Sequence, residues 1–266
     1  MQQLIIKYWP SSNWGDVANF ELVRHISGIL PRFVSVYDTK IQILHYSVMG
    51  SILRFADTYT IVWGSGFLSS ADKCRQKPKK VCCVRGPLSH DKLLKHDIEC
   101  PDIYGDPAIL WPLYYKPAIN KKYKLGIIPH WKDYHNNKFN INEKDILLIR
   151  PFGIKNAASV YEYIDKICSC DSIASASLHG LIIADAYKIP NVRIYFDKNK
   201  LDDFKFDDYS YSVDRNIKEP ISCSDKIDYD KLISSSEYSV KNLNQLQILH
   251  SCPFKKEENE DNTAKR

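Results

Sequence analysis

The chain has 266 residues, 44% of them hydrophobic and 12% aromatic, which is apolar material for a folded core and excludes a disordered chain. Its 37 basic and 32 acidic residues leave a dispersed charge of +5. A basic run, Lys73 to Lys80, has no interleaved aromatics, so it argues against nucleic acid and fits a solvated loop or a surface for anionic lipid or glycan.

In chain order, Leu4 to Tyr8 reads as a strand, Pro10 to Asp16 as a loop, and Val17 to Ser27 as a helix closed by Gly28. Tyr59 to Trp63, followed by Gly64-Ser-Gly66, repeats the strand-then-loop pattern. So does Val81 to Val84, followed by Arg85-Gly-Pro87 and a helix from Leu88 to Lys95. The polar stretch from Tyr115 to Lys124 suits a linker. Beyond it, strands are expected at Leu125 to Ile128, Asp145 to Ile149 and Ser172 to Ala174, with an amphipathic helix at Val160 to Cys168 and one further helix within Asp230 to Leu249. Alternating strands and helices predict an α/β fold with parallel sheets. The expected division is an N-terminal half over 1–118, a C-terminal half over 119–254 with its last helix packing across, and a disordered tail over 255–266.

Several absences shape the reading. No apolar run approaches the ~20 residues of a membrane span, and Met1 to Lys7 lacks the marks of a signal peptide. A cytoplasmic protein is expected, in contact with a membrane at most peripherally, at its inner face. The eight cysteines are sparse for the length and show no paired CxxC spacing, and Cys82 and Cys83 sit in an apolar strand-like run, which predicts reduced thiols and no metal site.

Ser175-Ala-Ser-Leu-His-Gly180 reads as a small-residue loop delivering His179 to the start of an apolar helix. Free N–H groups and the positive end of the helix dipole favour an anion there, with Ser177, His179 and Gly180 around it. The competing reading is structural: the serines cap the helix and His179 satisfies a hydrogen bond in the core.

The combination Asn13-Trp-Gly-Asp16, Val62-Trp-Gly-Ser-Gly66, Val84-Arg-Gly-Pro-Leu88, Tyr104-Gly-Asp-Pro-Ala108, Gly126-Ile-Ile-Pro-His130 and Ser175 to Asp185 resembles the polysaccharide pyruvyl transferase family. One departure is Ser89-His90, where members often carry threonine and arginine. The resemblance implies two Rossmann-like domains facing a cleft, as in GT-B glycosyltransferases. It also implies transfer of pyruvate from phosphoenolpyruvate to sugar hydroxyls, commonly as a cyclic ketal. Phosphoenolpyruvate is then a co-substrate, no resident cofactor is needed, and the acceptor is a capsule or exopolysaccharide precursor, a lipid-linked oligosaccharide among the options.

That chemistry needs cationic groups for the donor, an acid for its methylene carbon and a base for the attacking hydroxyl. The expected donor residues are Ser177, His179, Gly180, Arg85, Arg150 and His130, and the expected acid and base come from Asp16, His130 and His179. On the acceptor side stand Asn13, Trp14, Asp16 and Trp63. Trp131 is a further indole able to stack on a sugar, and each tryptophan could equally be a core wall. Asp16 could instead be a helix N-cap, Asp106 reads as a turn residue, and Asp185 reads as structural. The alternative activity is a nucleotide-sugar glycosyltransferase of the same architecture, which would need an acidic partner for ribose.

Overall fold

The computed structural model describes residues 3–118, 120–133, 143–197, 203–224 and 226–256. Two five-stranded sheets organise them, each wholly parallel. The first contains β1 (Ile5–Tyr8), β2 (Arg32–Ser35), β3 (His45–Ser47), β4 (Thr60–Trp63) and β5 (Lys80–Cys83), in the order β2-β1-β3-β4-β5. The second contains β6 (Tyr123–Ile128), β7 (Ile146–Leu148), β8 (Cys170–Ser175), β9 (Asn191–Tyr195) and β10 (Ile221–Ser222), in the order β10-β9-β8-β6-β7.

Both sheets have the same winding. Each chain half places its second strand on one side of its first and the remainder on the other, so β1 and β3 flank one switch point and β6 and β8 flank the other. Loops leaving such points are where open α/β sheets hold ligands.

The helices are α1 (Trp14–Ser27), α2 (Pro87–Leu94), α3 (Trp111–Tyr114), α4 (Ala157–Cys168), α5 (Leu178–Ala186), α6 (Phe204–Ser212), α7 (Tyr229–Ser235) and α8 (Gln245–His250). α1 begins three residues before the sequence suggests, because Asn13 caps it through the Gly15 N–H; Gly28 closes it in the left-handed region at φ 70°. Asp16 is therefore not the cap. α4 opens with a reciprocal capping box between Asn156 and Ser159.

The single helix expected within 230–249 is two. α7 lies against the second sheet, whereas α8 returns to the first half, where Ile248 packs at Gly105 and its carbonyl accepts a hydrogen bond from Trp63. Asn244, just before α8, donates to the Ser212 carbonyl at the end of α6. The expected boundary between 118 and 119 involves residue 119, outside the described residues, as is most of the tail, 257–266.

The two halves share one apolar core, to which Trp14, Leu22 and Trp111 contribute from one side and Val160, Ile164 and Leu181 from the other. α5 is mostly apolar and buried along its length apart from His179. Gly180 permits that depth, since a Cβ there would overlap the Ser175 hydroxyl and press on Ile128. No helix among the described residues is long and apolar enough to cross a membrane.

Candidate active site

β8 ends at Ser175, beside Ile128 at the end of β6. The Ala176 N–H donates to the Ile128 carbonyl at 2.8 Å, and the Ser175 hydroxyl both donates to the Ser177 carbonyl at 2.8 Å and accepts from the Ser177 N–H at 3.0 Å. This tight turn launches α5. The Ser177 side chain makes no cap bond, and the N–H groups of Leu178 and His179 have no acceptor among the described residues. The structural reading of the serines is half right: Ser175 shapes the turn, while Ser177 leaves the helix start uncapped.

His179 projects out of the second half into the first. Its ring lies where a Cβ on Gly15 would stand, and it packs at 6.0 Å from Trp14. Nε2 of His179 is 3.7 Å from Oδ2 of Asp106, and both atoms are buried with no hydrogen-bond partner among the described residues. Asp106 is a turn residue as expected, since its Oδ1 caps the short 3-10 helix Pro107–Leu110 through the Ala108 N–H at 3.0 Å. Its second oxygen, aimed at His179, is what sequence reasoning missed.

On the other side stands Asp16, in the first turn of α1, near enough for its charge and that of His179 to act on each other. Burial raises its carboxyl to about 6, and the Ser11 hydroxyl, which donates to Oδ2 at 2.6 Å, and His179 only partly oppose this. Such a group changes charge close to neutrality, where a general acid or base is most effective. Loops from the two switch points thus meet at one place. The loop after β7 is stitched to the start of α1 by Trp14 N–H to the Pro151 carbonyl at 2.6 Å and Ile154 N–H to the Ser12 carbonyl at 3.0 Å.

The other expected residues divide. His130 follows β6 at the second switch point, with the exposed Trp131 ring 5.7 Å away. Arg150 follows β7 and is exposed, next to the Pro151 carbonyl that receives Trp14. Asn13 spends its side chain as the α1 cap.

Three residues are corrected. Arg85 is fully buried, and its guanidinium is committed to Asp208 at 2.9 and 3.0 Å, the Ser51 hydroxyl at 2.9 Å and the Phe67 carbonyl at 2.6 Å. It anchors α6 to the first half rather than holding an anion from solution. Trp14 and Trp63 are both fully buried, with Nε1 donating to the Val160 and Ile248 carbonyls respectively, so neither indole can stack on a sugar.

Asp185 is structural as expected. It accepts from Asn191, Tyr209 and Arg215 and is completely buried, leaving it no oxygen for a ribose. Asp208 and Tyr209, adjacent on α6, therefore tie Arg85 of one half to the helix that carries His179 in the other.

Comparison with known proteins gives this geometry a family. The chain is 30% identical over 174 residues to uncharacterized protein L143 of Acanthamoeba polyphaga mimivirus, covering 62% of this chain and 58% of that protein. It is 27% identical over 214 residues to the succinoglycan biosynthesis protein ExoV of Rhizobium meliloti (strain 1021), covering 77% of this chain and 64% of that one. It thus spans about three-fifths of the length of these curated relatives. A solved structure of an uncharacterized Klebsiella pneumoniae protein aligns with a TM-score of 0.45 at 12% identity, over 78% of this chain and 87% of that one. The polysaccharide pyruvyl transferase family matches residues 35–198, which include Asp106, His130 and His179, and the chain belongs to that family.

Proposed function

We propose that the protein transfers pyruvate from phosphoenolpyruvate to hydroxyls of a capsule or exopolysaccharide precursor, forming a cyclic ketal and releasing phosphate. The observation that carries this is the uncapped start of α5, which holds His179 between Asp106 and the Asp16 turn. The donor's phosphate and carboxylate take the free N–H groups of Leu178 and His179 and the Ser177 hydroxyl, with His130 and Arg150 on the flanking strand ends. The space between the two sets of loops is the proposed GT-B-like cleft, with the donor on the second half and the acceptor on the first.

In the proposed reaction an imidazolium, at His179 or His130, gives its proton to C3 of the donor, leaving a cation-like C2 stabilised by the enol oxygen. An acceptor hydroxyl attacks C2 as Asp16 takes its proton. The C2–O bond to phosphate then breaks with its electron pair on phosphate, which accepts a proton, and the second hydroxyl closes the ring on C2 with loss of its own. The methylene carbon gains one proton, the two hydroxyls lose two and phosphate gains one, so the protons balance. The contact of Asp106 with its Nε2 favours His179 for the proposed acid role.

Titration calorimetry with phosphoenolpyruvate and with UDP-hexoses tests the donor. Saturable heat from phosphoenolpyruvate, competed by inorganic phosphate, supports the proposal. Heat from a UDP-hexose alone would replace it with the glycosyltransferase.

A further inference from the structure

Three aromatic side chains with no place in that chemistry gather at the carboxyl edge of the first sheet. Trp9 follows β1, Tyr37 follows β2, and Phe55 lies in the short 3-10 helix Leu53–Phe55 after β3. Because β2, β1 and β3 are neighbours, these residues meet: the rings of Trp9 and Tyr37 are 5.1 Å apart, and Phe55 is 5.7 Å from each. Tyr37 is 54% exposed and the other two are half-buried, so the cluster ends in an open aromatic face.

Two guanidinium groups border it. Arg54 stands 4.7 Å from the Phe55 ring and 5.8 Å from Trp9, and Arg75 stands 5.6 Å from Phe55. Arg75 belongs to the basic run Lys73 to Lys80, which is bonded alongside the 54–60 segment through Arg75 N–H to the Arg54 carbonyl, Gln76 N–H to the Ala56 carbonyl and Lys79 N–H to the Thr60 carbonyl. The run has an aromatic partner after all, supplied by the fold rather than by the sequence neighbours. Trp9 is also on the segment that leads through Ser11 to Asp16 in the first turn of α1, so the cluster and the proposed base share one short stretch of chain.

We infer that Trp9, Tyr37 and Phe55, with Arg54 and Arg75, form the acceptor subsite, and that it takes a sugar carrying an anionic group such as a phosphoester. This rests on the pyruvyl-transfer reading, which puts the acceptor hydroxyl at Asp16. A sugar presents apolar C–H faces that suit the aromatic rings, and the guanidinium forks suit a phosphate or carboxylate a few ångströms beyond. A flat lipid surface would use the basic run but has no need of a ring cluster on the Asp16 loop.

Saturation-transfer NMR and calorimetry with glucose 1-phosphate, methyl β-glucoside and vesicles of mixed phosphatidylglycerol and phosphatidylcholine test this. Glucose 1-phosphate is expected to bind saturably, and more tightly than the uncharged glucoside. Arg75→Gln should weaken it about tenfold, and Trp9→Ala should abolish transfer to the ring protons. Binding should persist in His179→Ala, which removes the donor site. Loss of binding in His179→Ala, indifference to both Trp9→Ala and Arg75→Gln, or binding to anionic vesicles alone would overturn the subsite. A parallel titration with phosphoenolpyruvate separates the two ideas. Donor binding without sugar-phosphate binding removes the subsite only, whereas a wild type that binds no phosphoenolpyruvate removes the pyruvyl-transfer reading.

Discussion

Oδ2 of Asp106 and Nε2 of His179 face each other at 3.7 Å, sealed from solvent, while the other Asp106 oxygen caps a neighbouring turn. The carboxylate therefore has two separable jobs. Asp106→Asn keeps an oxygen for the Ala108 N–H, since asparagine caps as well as aspartate, but removes the charge beside the imidazole. The expected result is a thermal midpoint close to wild type and a turnover rate down by about one to two orders of magnitude. Asp106→Ala should additionally lose about 1 kcal/mol of stability through the missing cap. Steady-state turnover and urea unfolding of the two variants separate these effects.

Asp16 sets a pH dependence of stability with a definite sign. Its carboxyl rises from 3.8 to about 6 on folding, so between those values the unfolded chain ionises first and stability falls as pH increases. Asp16→Asn should remove this slope and make the protein more stable than wild type above pH 6, by up to about 3 kcal/mol for a shift of two units. The same variant should cut turnover by about 10²- to 10⁴-fold if Asp16 is the base. Urea unfolding of both proteins at pH 4, 5, 6 and 7 checks this, and a stability gap between them that fails to widen as pH rises contradicts it.

Gly15 predicts a steric knock-out of the site. A methyl group there would overlap the His179 imidazole, and the start of α1 is tied to the second half through the Trp14 N–H and the Pro151 carbonyl. Gly15→Ala should displace the ring, cost about 1–3 kcal/mol as overpacking does, and abolish phosphoenolpyruvate binding. Calorimetry on the folded variant gives the answer. Unchanged donor affinity would place His179 outside the site.

Arg85 and Asp208 should matter for folding and not for donor recognition. Removing one partner of a buried, fully bonded ion pair strands the other charge, at a cost of about 3–5 kcal/mol. Asp208→Asn, the milder change, should lower the denaturation midpoint sharply while leaving the donor dissociation constant of the folded fraction within about twofold, a difference under 1 kcal/mol. A large rise in that constant at full folding would restore Arg85 to the donor site.

How far the sequence carried this account depends on the range of each interaction. β1, β5 and α4 are legible because their apolar spacing is local, and Gly28 announces the end of α1 because a left-handed C-cap favours glycine. The start of α1 is masked by Gly15, a poor helix former kept there by a ring 164 positions on, beyond any local pattern. β2, Arg-Phe-Val-Ser, and β3, His-Tyr-Ser, carry polar residues at both ends and no apolar run, so nothing local marks them as strands. Trp14 and Trp63 look like any loop or strand-end indole until the core that covers them is assembled. Gly105-Asp-Pro107 correctly signals a turn, yet it says nothing of the second carboxylate oxygen, whose partner is in the other half.

Thermal unfolding with phosphoenolpyruvate, for wild type and His179→Ala, most directly tests the claim that α5 and His179 hold the donor. At a ligand concentration of about 100 times the dissociation constant, the wild type should gain about 2.7 kcal/mol of stability, and His179→Ala should gain little or none. An equal gain in both proteins, or none in the wild type, would contradict the assignment.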